Sequence, residues 1–238
     1  ASDVYKRQVN DIIELTGILN GTANYILSEM EVAEKGFEEV LADAQKKGYA
    51  EADPSFDIDG IDAAHKIIIL SALAYGKMPN LEDLSIQGIR EISLNDIKYC
   101  NDLGYKIKLL GNSLISKDLN GKEELFCSVK PWLIAKNFGL SNVSGVINAV
   151  QIESSLAGSV MITGAGAGGE PTASAVLADI VDIANGTKLF SFGRNSYDIK
   201  ENFKTTPYQE KYKFYLRLNV VDKSGILADL TSIFKDYN

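Results

Sequence analysis

An α+β fold, with helices packed on one face of a mixed and largely antiparallel sheet, is what this sequence predicts. Two β-like runs, Tyr105–Ser116 and Glu123–Ile134, flank Asp118-Leu119-Asn120-Gly121-Lys122. Asn-Gly between such runs signals a hairpin, because both residues accept the positive φ that a tight turn demands. Other β-leaning runs, at Val9–Leu19, Asn142–Asn148 and Val150–Ser154, are interleaved with segments of helical period. Strands and helices mixed in this order favour helices layered on a sheet.

Taken in order, Val9–Leu19 reads as a strand carrying Ile12, Ile13, Leu15, Ile18 and Leu19. Asn20-Gly21-Thr22 then turns the chain, and Thr22 is expected to cap a helix that carries Tyr25, Ile26, Leu27 and Met30. Free backbone N–H groups at such a helix start also suit a ligand carboxylate or phosphate. Phe37–Lys47 is amphipathic, with Phe37, Val40, Leu41 and Ala44 on one face. Gly48 fits the left-handed position that closes it.

The chemistry gathers just beyond. Gly48-Tyr49-Ala50-Glu51-Ala52-Asp53-Pro54 leads through Asp57 into a helix that Asp59 is expected to cap and that carries Asp62 and Lys66. On a 3.6-residue period Asp62, Lys66, Ile69, Leu70 and Leu73 share one side, so the charged pair opens a stripe that continues into the core. Two readings stand. One is an i,i+4 ion pair that supports the helix by roughly 0.2–0.5 kcal/mol. The other is a site in which Glu51, Asp57 and Asp62 surround an amino group or a catalytic ammonium, able to give a proton to an alkoxide forming from a carbonyl.

Downstream, Leu94–Leu103 is helical in pattern, and Trp132 and Phe138 read as core or interface residues. Gly164, Gly166 and Gly169 fit G-x-G-x-x-G, between a strand at Ser159–Thr163 and a helix at Thr172–Ala184. A dinucleotide fold also requires more βαβ units and an acidic residue about 20 positions on. Lys188-Leu189-Phe190-Ser191-Phe192-Gly193 brings no acid, so a self-contained Rossmann domain is rejected. In the tail, Tyr212–Val221 alternates as a strand, Asp222–Gly225 turns, and Ile226–Phe234 is an amphipathic helix.

Composition narrows the function classes. The 238 residues are 45% hydrophobic and 24% charged, with a net charge of −8. That acidity argues against nucleic acid or an anionic membrane as partner. No apolar run approaches the ~18 residues of a membrane-spanning helix, and no secretory signal opens the chain. Cys100 and Cys127 lack metal-ligand spacing and His65 is the single histidine. No metal site is therefore expected, and a cytoplasmic protein is.

Three blocks carry a resemblance. Gly17–Leu27, then Gly48–Pro54, then Asp59–Lys66 closely resemble the catalytic domain of the homoserine dehydrogenase family, and the likeness extends through Gly164–Thr172. Their order and spacing make the match specific, and it covers nearly the whole chain after the first residues. The resemblance implies an NAD(P)-dependent oxidoreductase that interconverts aspartate 4-semialdehyde and homoserine. It implies Lys66 as proton donor or acceptor, Glu51 and Asp62 as ligands of the substrate's ammonium and hydroxyl ends, and Asp57 as the group that orients Lys66. Tyr49 and Thr22 would line the substrate site, and Gly48 and Gly168 would border the cofactor.

The same resemblance implies NADP or NAD held mainly by a nucleotide-binding domain this chain does not contain, a second active-site lysine there, and a monovalent-cation site in the complete enzyme. Residues 1–8 look foreign to the family, 9–206 would form the substrate and dimerisation domain, 207–211 a linker, and 212–238 the opening strand and helix of an ACT domain. The chain is thus expected to be a fragment truncated at both ends, inactive alone, from a homodimer or homotetramer. A different class remains beside this: a non-catalytic amino-acid-binding and dimerisation module whose tail senses threonine.

Overall fold

The computed structural model describes residues 10–187, 192, 198–207 and 213–236. From its start the chain forms β1 (Ile12–Ile18), α1 (Gly21–Ala33), α2 (Phe37–Lys46), α3 (Ser55–Ile58), α4 (Ile61–Tyr75), β2 (Lys77–Met78), β3 (Ser85–Ile86) and α5 (Leu94–Asp102). It continues through β4 (Tyr105–Lys117), β5 (Glu123–Ala135), β6 (Ile147–Ser154), β7 (Gly158–Ala165), α6 (Gly169–Ala184), β8 (Lys200–Glu201) and α7 (Ile226–Asp236). One six-stranded sheet has the order β3-β5-β4-β1-β6-β7. Only β3–β5 is parallel in it, so the sheet is mixed and largely antiparallel, as the sequence predicts. A small parallel pair joins β2 to β8.

The hairpin at Asn120-Gly121 is present, with β4 and β5 in register from Tyr105↔Ala135 to Lys117↔Glu123. Gly121 takes φ 79°, which is why glycine serves there. β1 lies between β4 and β6, so the turn that follows it leaves from the middle of the sheet. Strand alternation divides the apolar residues. Leu15 and Leu109 face the main core with Ile26, Met30, Ile67 and Cys100 from the helices. Ile18 and Leu110 join a smaller cluster with Leu140, Val143 and Ala149, against which Trp132 packs. Phe138 is 40% exposed.

Helix α4 lies close against the sheet at Gly111, where a Cβ would come within 2.8 Å of Leu19 Cδ1 and 3.3 Å of Ile67 Cβ. Its buried residues are Ala63, Ala64, Ile67, Ser71 and Ala72, whereas Ile69 is 47% exposed. This corrects the expected stripe at Ile69, whereas Leu70 is partly buried against the core and Leu73 is half-buried. The helix is apolar almost all round beyond Lys66, so hydrophobicity cannot choose its inner face. Small residues and a serine lie inward, where the helix approaches most closely. The Ser71 hydroxyl donates to the Ile67 carbonyl at 2.8 Å and meets the Ser113 hydroxyl at 2.7 Å, both serines being fully buried.

Other expectations shift. Asn20, not Thr22, caps α1: its Oδ1 accepts from the Ala23 N–H at 2.8 Å. Gly60, at φ 85°, occupies the N-cap of α4 without a side-chain bond, and Asp59 instead pairs with Arg90. The strand pair expected over Asn142–Ser154 is one strand, β6, preceded by a short 3₁₀ turn at Gly139–Asn142. The Val143 and Gly145 carbonyls go to side chains rather than to a ladder. Helix α6 begins at Gly169, ahead of Thr172. Gly48 takes the left-handed conformation expected of it, at φ 73°.

By internal contacts the chain divides into residues 1–208 and 209–238. In the second unit α7 forms where the sequence predicts a helix, but residues 213–221 are not a strand. Alternating apolar residues specify a strand only where a neighbouring strand pairs with them. Lys188–Ser191, Gly193, the Gln209-Glu210-Lys211 linker and residues 1–9 lie outside the described residues. Cys100 and Cys127 are buried free thiols, with burial raising the first to about 11 and the second to about 12. No described helix is long and apolar enough to cross a membrane, and no metal-ligand cluster occurs among the described residues.

Candidate active site

Where β1 ends, Asn20 has extended backbone angles and a side chain 5% exposed as a residue. Because its Oδ1 is committed to the Ala23 N–H, its amide nitrogen points away from the helix. There Nδ2 donates to Asp57 Oδ1 and to Asp62 Oδ2, each at 2.7 Å. One primary amide has two N–H donors, so both are used. Asp57 arrives on α3 and Asp62 on the first turn of α4, next to that helix's positive end.

Lys66 follows Asp62 by one turn and binds the same Oδ2 at 2.7 Å. Its second partner is the Leu19 carbonyl at 3.0 Å. The Lys66 side chain remains 41% exposed, against 20% for Asp62. An ammonium has three donors; two are held by protein and one is left on the exposed side. Asp57 reaches Lys66 only through Asn20 and Asp62, so direct orientation of the lysine falls to Asp62 and Leu19. Asp59 is drawn out of this group by Arg90, whose guanidinium also donates to Ser55 Oγ at 2.9 Å.

The adjoining wall holds Thr22 and Tyr49. Thr22 Oγ1 donates to the Tyr49 carbonyl at 2.7 Å, tying the first turn of α1 to the loop after α2. The Tyr49 ring stands edge-on to Tyr25 at 5.0 Å, and Lys47 Nζ donates to the Tyr25 hydroxyl at 2.7 Å. The carbonyls of Glu51 and Ala52 accept from Gln45 Nε2 at 3.0 and 3.3 Å, which fixes the loop while the Glu51 residue itself stays exposed. Gly48 is open, with nothing within 4 Å of where a Cβ would stand.

A third part is the glycine turn between β7 and α6. Gly168 takes φ 120°, ψ 159°, and Gly164 and Gly169 have nothing within 4 Å of a notional Cβ. Asn148 on β6 faces this turn and donates through Nδ2 to the Leu19 carbonyl at 3.3 Å. The structure therefore brings Asp57, Asp62 and Lys66 into one hydrogen-bonded group through Asn20, and Thr22 with Tyr49 into a second. Asn20 holds the first group together, and Asn148 reaches it through the Leu19 carbonyl that Lys66 also binds. Asn at a β-strand end before Gly-Thr is a strong N-cap signal, so Asn20 was findable; nothing local marks Asn148.

Residues 5–181 match the family profile described as homoserine dehydrogenase. The homoserine dehydrogenase of Helicobacter pylori is 43% identical over 225 residues, 94% of this chain and 52% of that protein. The chain belongs to the homoserine dehydrogenase family. The crystal structure of a homoserine dehydrogenase from Thiobacillus denitrificans superposes with a TM-score of 0.74 at 39% identity, covering 96% of this chain and 53% of that one. A hyperthermophilic archaeal homoserine dehydrogenase mutant in complex with NADPH matches with a TM-score of 0.60 at 33% identity, over 75% of this chain and 49% of that one. The chain spans about half the length of the relatives it matches.

Proposed function

We propose that this chain forms the substrate-binding and proton-transferring portion of an NAD(P)-dependent oxidoreductase that interconverts L-aspartate 4-semialdehyde and L-homoserine, a step toward threonine, methionine and isoleucine. The observation that supports this most directly is Lys66, held by Asp62 Oδ2 and the Leu19 carbonyl with its remaining donor on the exposed side. That arrangement suits both protonation states. As an ammonium, Lys66 offers its third hydrogen to the substrate oxygen. After giving it up, the neutral amine keeps two hydrogens for its two acceptors and turns its lone pair to the new hydroxyl.

In the reducing direction the C–H bond forms at the aldehyde carbon as the carbonyl π pair moves to oxygen, and that oxygen takes the Lys66 proton. The bare backbone of Gly48, Gly164 and Gly169 leaves room for a flat ring to lie close, and Gly168 would border it. The nicotinamide cofactor supplies or accepts the hydride when bound. Asp62 keeps Lys66 in place while the charge on the lysine changes, and Asn20 bridges Asp62 and Asp57. Glu51, exposed at the loop, would receive the substrate's ammonium. No monovalent-cation ligand is assigned among the described residues.

Two further parts of the reading concern assembly. The exposed apolar residues of β7 and α6, among them Ile162, Leu177, Val181 and Ile183, support burial against further protein in the complete enzyme, a dimer included. The tail helix α7 supports the start of an effector module of the ACT type, which threonine calorimetry on a complete chain tests. The catalytic reading is tested by joining residues from Val9 onward to a relative's nucleotide-binding domain and following NADPH with aspartate semialdehyde. Turnover is expected from the chimera and none from the 238 residues alone. A folded chimera without turnover contradicts the proposal.

A further inference from the structure

We propose that Asn148 is a positioning residue that couples the glycine turn to Lys66 through the Leu19 carbonyl. This rests on the reading of Lys66 as the proton-transferring group. A carbonyl oxygen has two lone pairs, and at Leu19 they go to Lys66 Nζ at 3.0 Å and Asn148 Nδ2 at 3.3 Å. Asn148 is the donor that fixes the direction of that carbonyl, because the lysine is the mobile partner and the asparagine is set in a strand. The carbonyl in turn fixes where the lysine's free hydrogen points.

Asn148 is held from both sides. The segment before it is fastened to α1: Asn24 Nδ2 lies 3.3, 3.0 and 3.2 Å from the carbonyls of Val143, Gly145 and Ile147. Lys108 Nζ reinforces this with a bond to the Val143 carbonyl at 2.7 Å. After it, β6 pairs with β7, Asn148 opposite Gly164. Two residues further, Gly166 passes so close that a Cβ there would fall inside the Asn148 amide. The Asn148 Oδ1 is buried and bonded to nothing among the described residues. The amide is thus aimed by one hydrogen bond and by the backbone of Gly166.

The consequence is that movement of the glycine turn is felt at Lys66. A group bound along Gly164–Gly168 and a proton held by Lys66 are read by one amide. Removing the Asn148 amide, or pushing it aside with a methyl at Gly166, should loosen the same carbonyl and cost the same step.

The test is a double-mutant cycle on kcat and KM in the complete enzyme, with wild type, Asn148→Ala, Lys66→Ala and the double variant. Asn148→Ala should lower kcat on the order of 10- to 100-fold with little change in KM and have almost no effect in the Lys66→Ala background. Gly166→Ala should lower kcat similarly and fail to add to Asn148→Ala. In the 238-residue chain itself, the Lys66 Nζ signal followed by ¹⁵N NMR should move in Asn148→Ala or, if that variant unfolds, in the isosteric Asn148→Asp. Equal losses from Asn148→Ala in both lysine backgrounds, or a loss only in melting temperature, would overturn the inference. Turnover that survives Lys66→Ala would instead sink the underlying reading of Lys66.

Discussion

Asn20 and Asp62 lie 42 residues apart, yet Asn20 Nδ2 sits 2.7 Å from Asp62 Oδ2. The same nitrogen reaches Asp57, and the same side chain's oxygen caps α1. One amide therefore ends a strand, starts a helix and keeps two carboxylates side by side. Repulsion between those carboxylates is met from two directions, by the amide donors and by the Lys66 ammonium.

Replacing Asn20 separates these jobs. Asn20→Ala loses the cap and both donors, and should cost roughly 2–4 kcal/mol in urea unfolding at pH 8. Asn20→Asp keeps a capping oxygen but adds a third carboxylate. Clustered carboxylates hold protons more firmly when folded, so that variant's deficit should shrink as pH falls from 8 to 5. A deficit that does not depend on pH would show that the two aspartates do not feel position 20.

The buried serine pair offers a second check. Ser71→Ala leaves the Ser113 hydroxyl without its 2.7 Å partner, and Ser113→Ala does the converse. Each should cost about 1–3 kcal/mol, and the double variant clearly less than the sum. Strict additivity in denaturant unfolding would contradict a direct bond between them.

Lys108 gives a pH prediction. It is 2% exposed, and its ammonium is met by Asn24 Oδ1, Ser28 Oγ and the Val143 carbonyl, all neutral. Burial pushes it down to about 8, Lys106 adds to that, and Glu31 opposes it. Between pH 8 and the ordinary lysine value the unfolded chain then binds more protons than the folded one. Wild-type stability should accordingly rise relative to Lys108→Met over that window, by up to roughly 3 kcal/mol. A wild-type-minus-variant difference that stays flat from pH 7 to 10.5 would contradict it.

Gly88 supports the site from below. A Cβ there would come 2.6 Å from Asp59 Cα and would strike the Ile58 carbonyl oxygen, both backbone, beside the peptide that carries Asp57. Gly88→Ala should destabilise by at least about 1–3 kcal/mol and weaken homoserine binding measured by calorimetry. Unchanged binding and melting would mean that the α3 corner yields freely.

The sheet's hairpin, α2, α5 and the group of Asp57, Asp62 and Lys66 were legible because local chemistry marks each: Asn120-Gly121, an amphipathic period, a spaced set of charges. What escaped was set by partners distant in sequence. The inner face of α4 depends on where Gly111 lets it approach, and its apolar sequence is silent on that. Nothing local marks Lys108 as buried, yet Asn24 and Ser28 of α1 and the Val143 carbonyl enclose its ammonium. Asn142–Asn148 looks extended throughout, but Asn24 and Lys108 take the Val143 and Gly145 carbonyls that a strand would have paired. Asn20 and Thr22 are both capping residue types, and Asn20 caps α1 while the Thr22 hydroxyl goes to the Tyr49 carbonyl, a partner distant in sequence.

The measurement that bears most directly on the account is the single-turnover rate of the complete enzyme with and without Lys66. Lys66→Ala should slow the chemical step by about 10²–10⁴-fold while the folded structure and homoserine binding persist. A variant that reduces aspartate semialdehyde at nearly the wild-type rate would contradict the claim that the lysine between Asp62 and Leu19 moves the proton.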